Sequence, residues 1–160
     1  SFQLETHQVA FFFAYIGIVL MFVQGGLVRR LATKVAELKL AIAGCLVSIL
    51  GFALLIAATR MQSFSFLMFA TAVEVSGFAI INPTITSLIS RRSDPAKQGS
   101  IAGLSQSVSS MARIVGPLVA MPLFEFNFMS PYIVAIVGML AVMGILLTSA
   151  NRGADFTAKT

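Results

Sequence analysis

The run LAIAGCLVSILGFALLIAAT fills residues 40–59 without a single charged side chain. As an α-helix, twenty such residues rise about 30 Å, the thickness of a bilayer's hydrocarbon core. A helix satisfies its own backbone groups, and here it presents apolar side chains all round, so the stretch fits a membrane span. Four more runs share the character: about 9–28, about 64–90 broken only by Glu74, about 99–124 broken only by Arg113, and about 128–150. The third, roughly 27 residues long, exceeds one straight crossing and implies a tilt or kink. The connections are short, which predicts antiparallel packing of helices adjacent in sequence. The expected fold class is therefore all-α and polytopic, with five transmembrane helices within residues 1–150 and a polar tail, NRGADFTAKT, over 151–160.

Composition excludes the soluble alternative. Of 160 residues 58% are hydrophobic and only 11% charged, and the mean hydropathy is +0.93. Eleven basic and six acidic side chains cannot cover a water-soluble domain of that size. The net charge of +5 reports topology instead. Arg29, Arg30, Lys34 and Lys39 follow the first span, Arg91, Arg92 and Lys97 follow the third, and Arg152 and Lys159 lie in the tail, whereas the opposite side has only Arg60. Basic residues accumulate in cytoplasmic loops, so the amino end is expected outside and the carboxyl end inside a plasma membrane or bacterial inner membrane. A nucleic-acid partner would need a folded basic surface with aromatics, and no such pattern is present.

Single residues of special chemistry are few. Cys45, the one cysteine, lies in the second span and reads as a small hydrophobe; no disulfide or metal site follows from it. His7, the one histidine, reads as an interfacial polar residue, with a proton relay as the alternative. The first residues lack the basic start and short apolar stretch of a secretory leader, and from Ser1 the chain reads as truncated. An enzyme would need a nucleophile with an intramembrane histidine, or a metal cluster, and this sequence supplies neither; no cofactor is expected.

Polar residues inside the spans fall into stripes. Thr71, Glu74, Phe78, Asn82 and Thr86 recur every three or four residues, within about a third of a helix circumference. In the fourth span Gln106, Ser109, Ser110 and Arg113 share one face, which is expected to look inward. Gly99 and Gly103, with Ser107 following, form a small-residue row that predicts close approach of a neighbouring helix. At 1.5 Å per residue, Glu74 lies about 15 Å below the outer end of its span and Arg113 about 21 Å above the inner end of its own. The two are thus at similar depth. An isolated charge there is costly, so each should meet a partner or a wet cavity. Either the pair fixes helix packing or Glu74 takes up protons along a transport path, with a snorkelling arginine as a third reading. Asn82-Pro83 and Gly116-Pro117 place helix-bending prolines within spans, common in membrane helices and also usable as gates.

The segments FAYIGIVLMFVQGGLVRRLATKVAELKLAIAG and FAIINPTITSLISRRSDPAKQGSIAGLSQSVSSMARIVGPL carry a resemblance. Together they resemble the carboxyl-terminal half of a major facilitator superfamily transporter, closest to the drug:proton antiporter group that includes tetracycline-resistance-like exporters. The likeness covers about residues 9–150 and implies correspondence with helices eight to twelve of a twelve-helix fold, the amino-terminal half being missing from this chain. The family's cytoplasmic motif G-x-L-x-D-R-x-G-R-R is degenerate here: Gly25-Gly26-Leu27-Val28-Arg29-Arg30-Leu31 has Arg29 where the acid would stand. A gating charge relay therefore does not carry over, and Arg29 and Arg30, like Arg91 and Arg92, are read as cytoplasmic anchors.

The function this implies is secondary active transport by alternating access, as proton-coupled efflux of a small amphipathic compound; a facilitator or symporter importing a nutrient, or a non-transporting membrane assembly protein, are the alternatives. Glu74 would be the proton site and Arg113 its counter-charge. Burial favours a neutral acid and an approaching guanidinium favours the carboxylate, so one helix movement would switch proton affinity. Tyr15, Asn82, Gln106, Ser109 and Ser110 would line the substrate cavity, and Gly25, Gly26, Pro83, Gly116 and Pro117 would bend or gate. The expected partners are lipid, protons, a small-molecule substrate and the missing half.

Overall fold

A computed structural model of the chain describes residues 6–150. Every regular element among them is helical. Helix α1 (Thr6–Phe22) runs into a π-helical stretch (Val23–Val28) and a short α2 (Arg29–Ala32). Helix α3 (Glu37–Met61), α4 (Phe64–Arg91), α5 (Gln98–Phe126) and α6 (Ser130–Ala150) follow, with a single 3-10 turn at Pro95–Lys97. Five helical rods, His7–Ala32, Glu37–Met61, Phe64–Arg91, Pro95–Phe126 and Ser130–Ser149, are long and apolar enough to cross a membrane. The polar tail expected over 151–160, with Arg152 and Lys159, lies outside the described residues.

Local chemistry sets the turns. Gln62 closes α3 in the left-handed conformation (φ 49°), its N–H reaching the Ala58 carbonyl, and Ser63 begins α4 by accepting the Phe66 N–H on its hydroxyl at 3.4 Å. At the other end Asp94 accepts the Ala96 N–H at 3.0 Å, and Pro95 takes a first-turn position where its missing donor costs nothing. Helices α4 and α5 run continuously through Pro83 and through Pro117 and Pro122.

Helix α3 is the hub. It packs along α4 over its length and also against α6, while α1 lies on α4. The expectation that sequence neighbours pack together is met by α3 with α4. Helices α4 and α5 touch only slightly, and the substantial contacts of α3 with α6 and of α1 with α4 join elements distant in sequence. The α3–α4 seam is built from small residues. A Cβ on Gly77 would fall against the Ser48 hydroxyl and backbone, and 2.9 Å from the Gly44 carbonyl oxygen; a Cβ on Gly44 would come within 2.7 Å of Ile81 Cγ1. Lipid tails are as apolar as leucine, so helices associate in a bilayer through such close van der Waals contact. Cys45 and Ser48 are fully buried beside this seam.

The row predicted for close approach, Gly99 and Gly103 on α5, has nothing within 4 Å. None of the residues of α5 is buried. The small-residue signal was real as chemistry but belongs to Gly44, Ser48 and Gly51 on α3, because the neighbour able to exploit it, α4, carries Gly77 opposite.

Outward faces are apolar. Phe11 is 73% exposed, Phe13 66% and Leu118 66%, and this surface suits lipid as solvent. At the end of the bundle that gathers most basic residues, Val28, Leu40 and Ile80 form a buried cluster, with Val23, Leu31 and Val35 packed against it.

Candidate functional site

The cleft between α4 and α5 gathers polar residues from both helices. Asn82, Thr86, Ser90 and Ser93 line one wall, and Gln98, Ser105, Gln106, Ser109 and Arg113 line the other, with Ile89, Ile101 and Ala102 between, around a volume of about 390 Å³. The α4 wall follows from the i, i+4 spacing of Asn82 and Thr86, and the α5 wall from Gln106, Ser109 and Arg113 sharing one helix face. Arg113 is the one charged side chain in the lining. The cleft thus combines hydroxyl and amide groups with a single fixed cation. It is suited to a solute that offers hydrogen-bond acceptors beside an apolar body.

The sequence-predicted residues divide. Asn82, Gln106, Ser109 and Arg113 meet in this cleft. Ser110 sits at the edge of the α5 stripe, exposed and outside the lining. The hydroxyl of Tyr15 donates to the Met68 carbonyl at 3.3 Å, tying α1 to α4 away from the cleft. Glu74 and Arg113 do not pair. A Cβ on Gly51 would fall onto the Cα of Glu74 and 2.6 Å from its Cβ and N, so Glu74 leaves α4 at the α3 seam. It is partly buried there, and no described residue forms an ion pair or hydrogen bond with its carboxyl group. The stripe from Thr71 to Thr86 is about 120° wide, broad enough for one edge to lie on α3 while the other lines the cleft.

Gly25 and Gly26 fall inside the π-helical stretch Val23–Val28. Nothing lies within 4 Å of where their Cβ atoms would be, so packing does not demand glycine. Their contribution is a backbone free to take the wider helix, a form that marks functional bends in other helices. Beside it a second hollow, lined by Gln24, Val28, Asn82, Pro83, Thr86 and Arg91 among others, lies between the π-helical stretch and α4. Pro83 therefore borders an open space. Gly116 has nothing within 4 Å of its would-be Cβ, and it and Pro117 lie on the exposed α5.

Two of the basic anchors, Arg91 and Arg92, have specific partners. Arg91 Nη1 donates to Glu37 Oε2 at 2.7 Å, and the Ser87 hydroxyl donates to Glu37 Oε1 at 3.0 Å. Arg92 Nη1 donates to the Ser149 hydroxyl at 2.8 Å, linking α4 to α6. Arg29 and Arg30 lie exposed at the start of α2. Among the described residues no group of acidic, histidine and cysteine side chains could hold a metal ion.

The Major Facilitator Superfamily profile matches residues 1–117. The chain belongs to this superfamily. Curated relatives carry names from drug resistance. The major facilitator chain is 28% identical over 131 residues to Multidrug resistance protein 2 of Bacillus subtilis (strain 168), a match covering 82% of this chain and 31% of that protein. It is 32% identical over 87 residues to the Quinolone resistance protein NorA of Staphylococcus aureus (strain Mu50 / ATCC 700699), covering 54% of this chain and 22% of that one. The chain thus spans a third or less of the length of these relatives. No solved structure matches it significantly. With five apolar helices and this membership, it is an integral membrane protein whose all-α described residues fit part of a major facilitator fold.

Sequence reasoning missed three features of this major facilitator chain. Glu37 went unremarked, although an acid in the first turn of a helix is a visible signal. Ser90, Ser93, Gln98 and Ser105 were not placed in the cleft, because they lie near the ends of spans where polar residues are ordinary. Arg92 was counted only as a topological charge, and nothing local marks its bond to Ser149 on a helix fifty-seven residues away.

Proposed function

We propose that this chain forms part of a secondary transporter that exports small amphipathic compounds by alternating access, driven by protons. The observation that carries the reading is the α4–α5 cleft, in which Asn82, Gln106, Ser109 and Arg113 converge within otherwise apolar spans. Intramembrane polar groups are costly and mark substrate or ion paths. Two relatives named for multidrug and quinolone resistance, together with membership of a transporter superfamily, support efflux of a drug-like compound. The solute that suits the cleft carries carbonyl or carboxylate acceptors for Arg113 and the amides, with an apolar body toward Ile89 and Ile101.

Glu74 is the candidate proton site. Its backbone rests on Gly51, so a shift of α4 along α3 would change the surroundings of its carboxyl group without the solute touching it. Arg113 then binds the solute in the cleft, and coupling passes through α4. The amino end of the chain lies outside and the carboxyl end in the cytoplasm, supported by the concentration of basic residues at one end of the bundle.

The test uses the full-length protein in proteoliposomes, with a fluorescent amphipathic dye and an imposed pH gradient. Glu74→Gln is expected to retain dye binding and lose gradient dependence. Arg113→Gln is expected to weaken binding of a carboxylate-bearing dye about tenfold or more, the worth of a hydrogen bond to a charged group. Gradient-driven transport equal to the parent in both variants would overturn the assignment.

A further inference from the structure

At the basic end of the bundle, on the α6 side of α4, lies a crevice of about 480 Å³ whose walls are almost wholly apolar: Leu38 from α3, Ile85 and Leu88 from α4, Val142 and Leu146 from α6. One charged group reaches it, the guanidinium of Arg92. Arg92 is only partly satisfied. Nη1 donates to Ser149, but Nε is shielded from solvent and has no acceptor. Leaving a buried charged donor unmet is expensive, and Glu37 is engaged by Arg91 and Ser87. No described acid forms an ion pair with Arg92.

We propose that this crevice is a binding site for an anionic phospholipid, with one acyl chain between α4 and α6 and the headgroup phosphate on Arg92. The two halves of the site demand the two halves of such a molecule. A free anion would satisfy Arg92 and leave the apolar walls bare; a diacylglycerol would fill the walls and leave Nε without an acceptor; a zwitterionic phospholipid brings a phosphate whose charge its own ammonium group already offsets, and that ammonium repels the guanidinium. A phosphate diester supplies oxygen acceptors at the depth where an acyl chain begins, and the planar guanidinium presents Nε and an Nη in a fork that matches them. Basic pockets between helices at the positive end of a membrane protein bind anionic headgroups on these grounds. The crevice shares Ile89 and Ser93 with the α4–α5 cleft but none of Asn82, Gln106, Ser109 and Arg113, on which the transport proposal rests, so it survives failure of that proposal.

Native mass spectrometry of the full-length protein, released from micelles doped with phosphatidylglycerol or phosphatidylcholine, reads the occupancy directly. The expected result is retention of one phosphatidylglycerol in preference to phosphatidylcholine. Arg92→Gln is expected to reduce retention about tenfold or more. Lys97→Gln, which changes only the general field near the surface, is expected to cost no more than about fivefold. Val142→Trp narrows the crevice with Arg92 in place and is expected to lower retention as Arg92→Gln does, so the site is tested even where the arginine variant folds poorly. Equal retention of both lipids, equal losses from Arg92→Gln and Lys97→Gln, undiminished retention in Val142→Trp, or displacement of the lipid by inorganic phosphate would each overturn the proposal.

Discussion

Glu37 at the first turn of α3 and Arg91 at the last turn of α4 are joined by a 2.7 Å ion pair across fifty-four residues of sequence. The pair closes the basic end of the seam that Gly44, Ser48, Gly51 and Gly77 define. It lies beside the hollow between the π-helical stretch and α4, of which Arg91 is a wall. The Glu37 side chain is 22% exposed and that of Arg91 59%, so water screens the contact and it serves register more than stability.

A double-mutant cycle measures this directly. Glu37→Gln and Arg91→Gln, alone and combined, are expected to show a coupling energy of about 0.2–1 kcal/mol in equilibrium unfolding in mixed micelles, the range of exposed pairs. A coupling of several kcal/mol would show that the pair is effectively desolvated in the assembled protein.

The seam itself should be far less tolerant. Gly77→Ala places a methyl group against the Ser48 backbone and the Gly44 carbonyl, and is expected to cost about 1–3 kcal/mol or force α4 away from α3. Gly103→Ala meets open space in this chain and is expected to be neutral or, through helix propensity, mildly stabilising. Thermal melts monitored by fluorescence-detected size exclusion separate the two; similar losses would place another helix against Gly103.

Gln62 holds the left-handed conformation at the end of α3, where a side chain costs about 1–2 kcal/mol. Gln62→Gly is expected to raise stability by about 0.5–1 kcal/mol after the glycine's extra chain entropy is subtracted. Gln62→Val is expected to lower it. The same melting assay checks both signs.

Orientation is read by labelling. Cysteines placed at Gln62 or Phe126 are expected to react with an impermeant maleimide added outside intact cells, and cysteines at Lys34 or Lys97 only after permeabilisation. The reverse pattern would mean that the basic loops face outward, against the rule that places them in the cytoplasm.

The sequence by itself determined the solvent, the helices and the family. A run such as Leu40–Thr59 must form a helix in lipid because no water is there to satisfy its backbone, and that requirement is local, so it is written in consecutive residues. The α5 stripe of Gln106, Ser109 and Arg113 was legible for a similar reason: helical periodicity alone puts them on one face. Which face meets which helix was decided only in three dimensions. In a soluble protein the apolar stripe marks the buried side, but in a bilayer the lipid is as apolar as the neighbouring helix, and burial leaves no imprint on hydropathy. Gly99-x-x-x-Gly103 and Gly44-x-x-x-Ser48 are equally good rows by composition; α4 lies on the second because Gly77 complements it. Glu74 and Arg113 are matched in estimated depth, yet depth fixes one coordinate of three, and rotation about α4 sends Glu74 to the α3 seam while Asn82 and Thr86 face Arg113 across the cleft. The partners of Arg91 and Arg92 were likewise beyond any local signal, since an ion pair or a hydroxyl bond between helices is a property of two surfaces brought together by packing that neither sequence segment specifies alone.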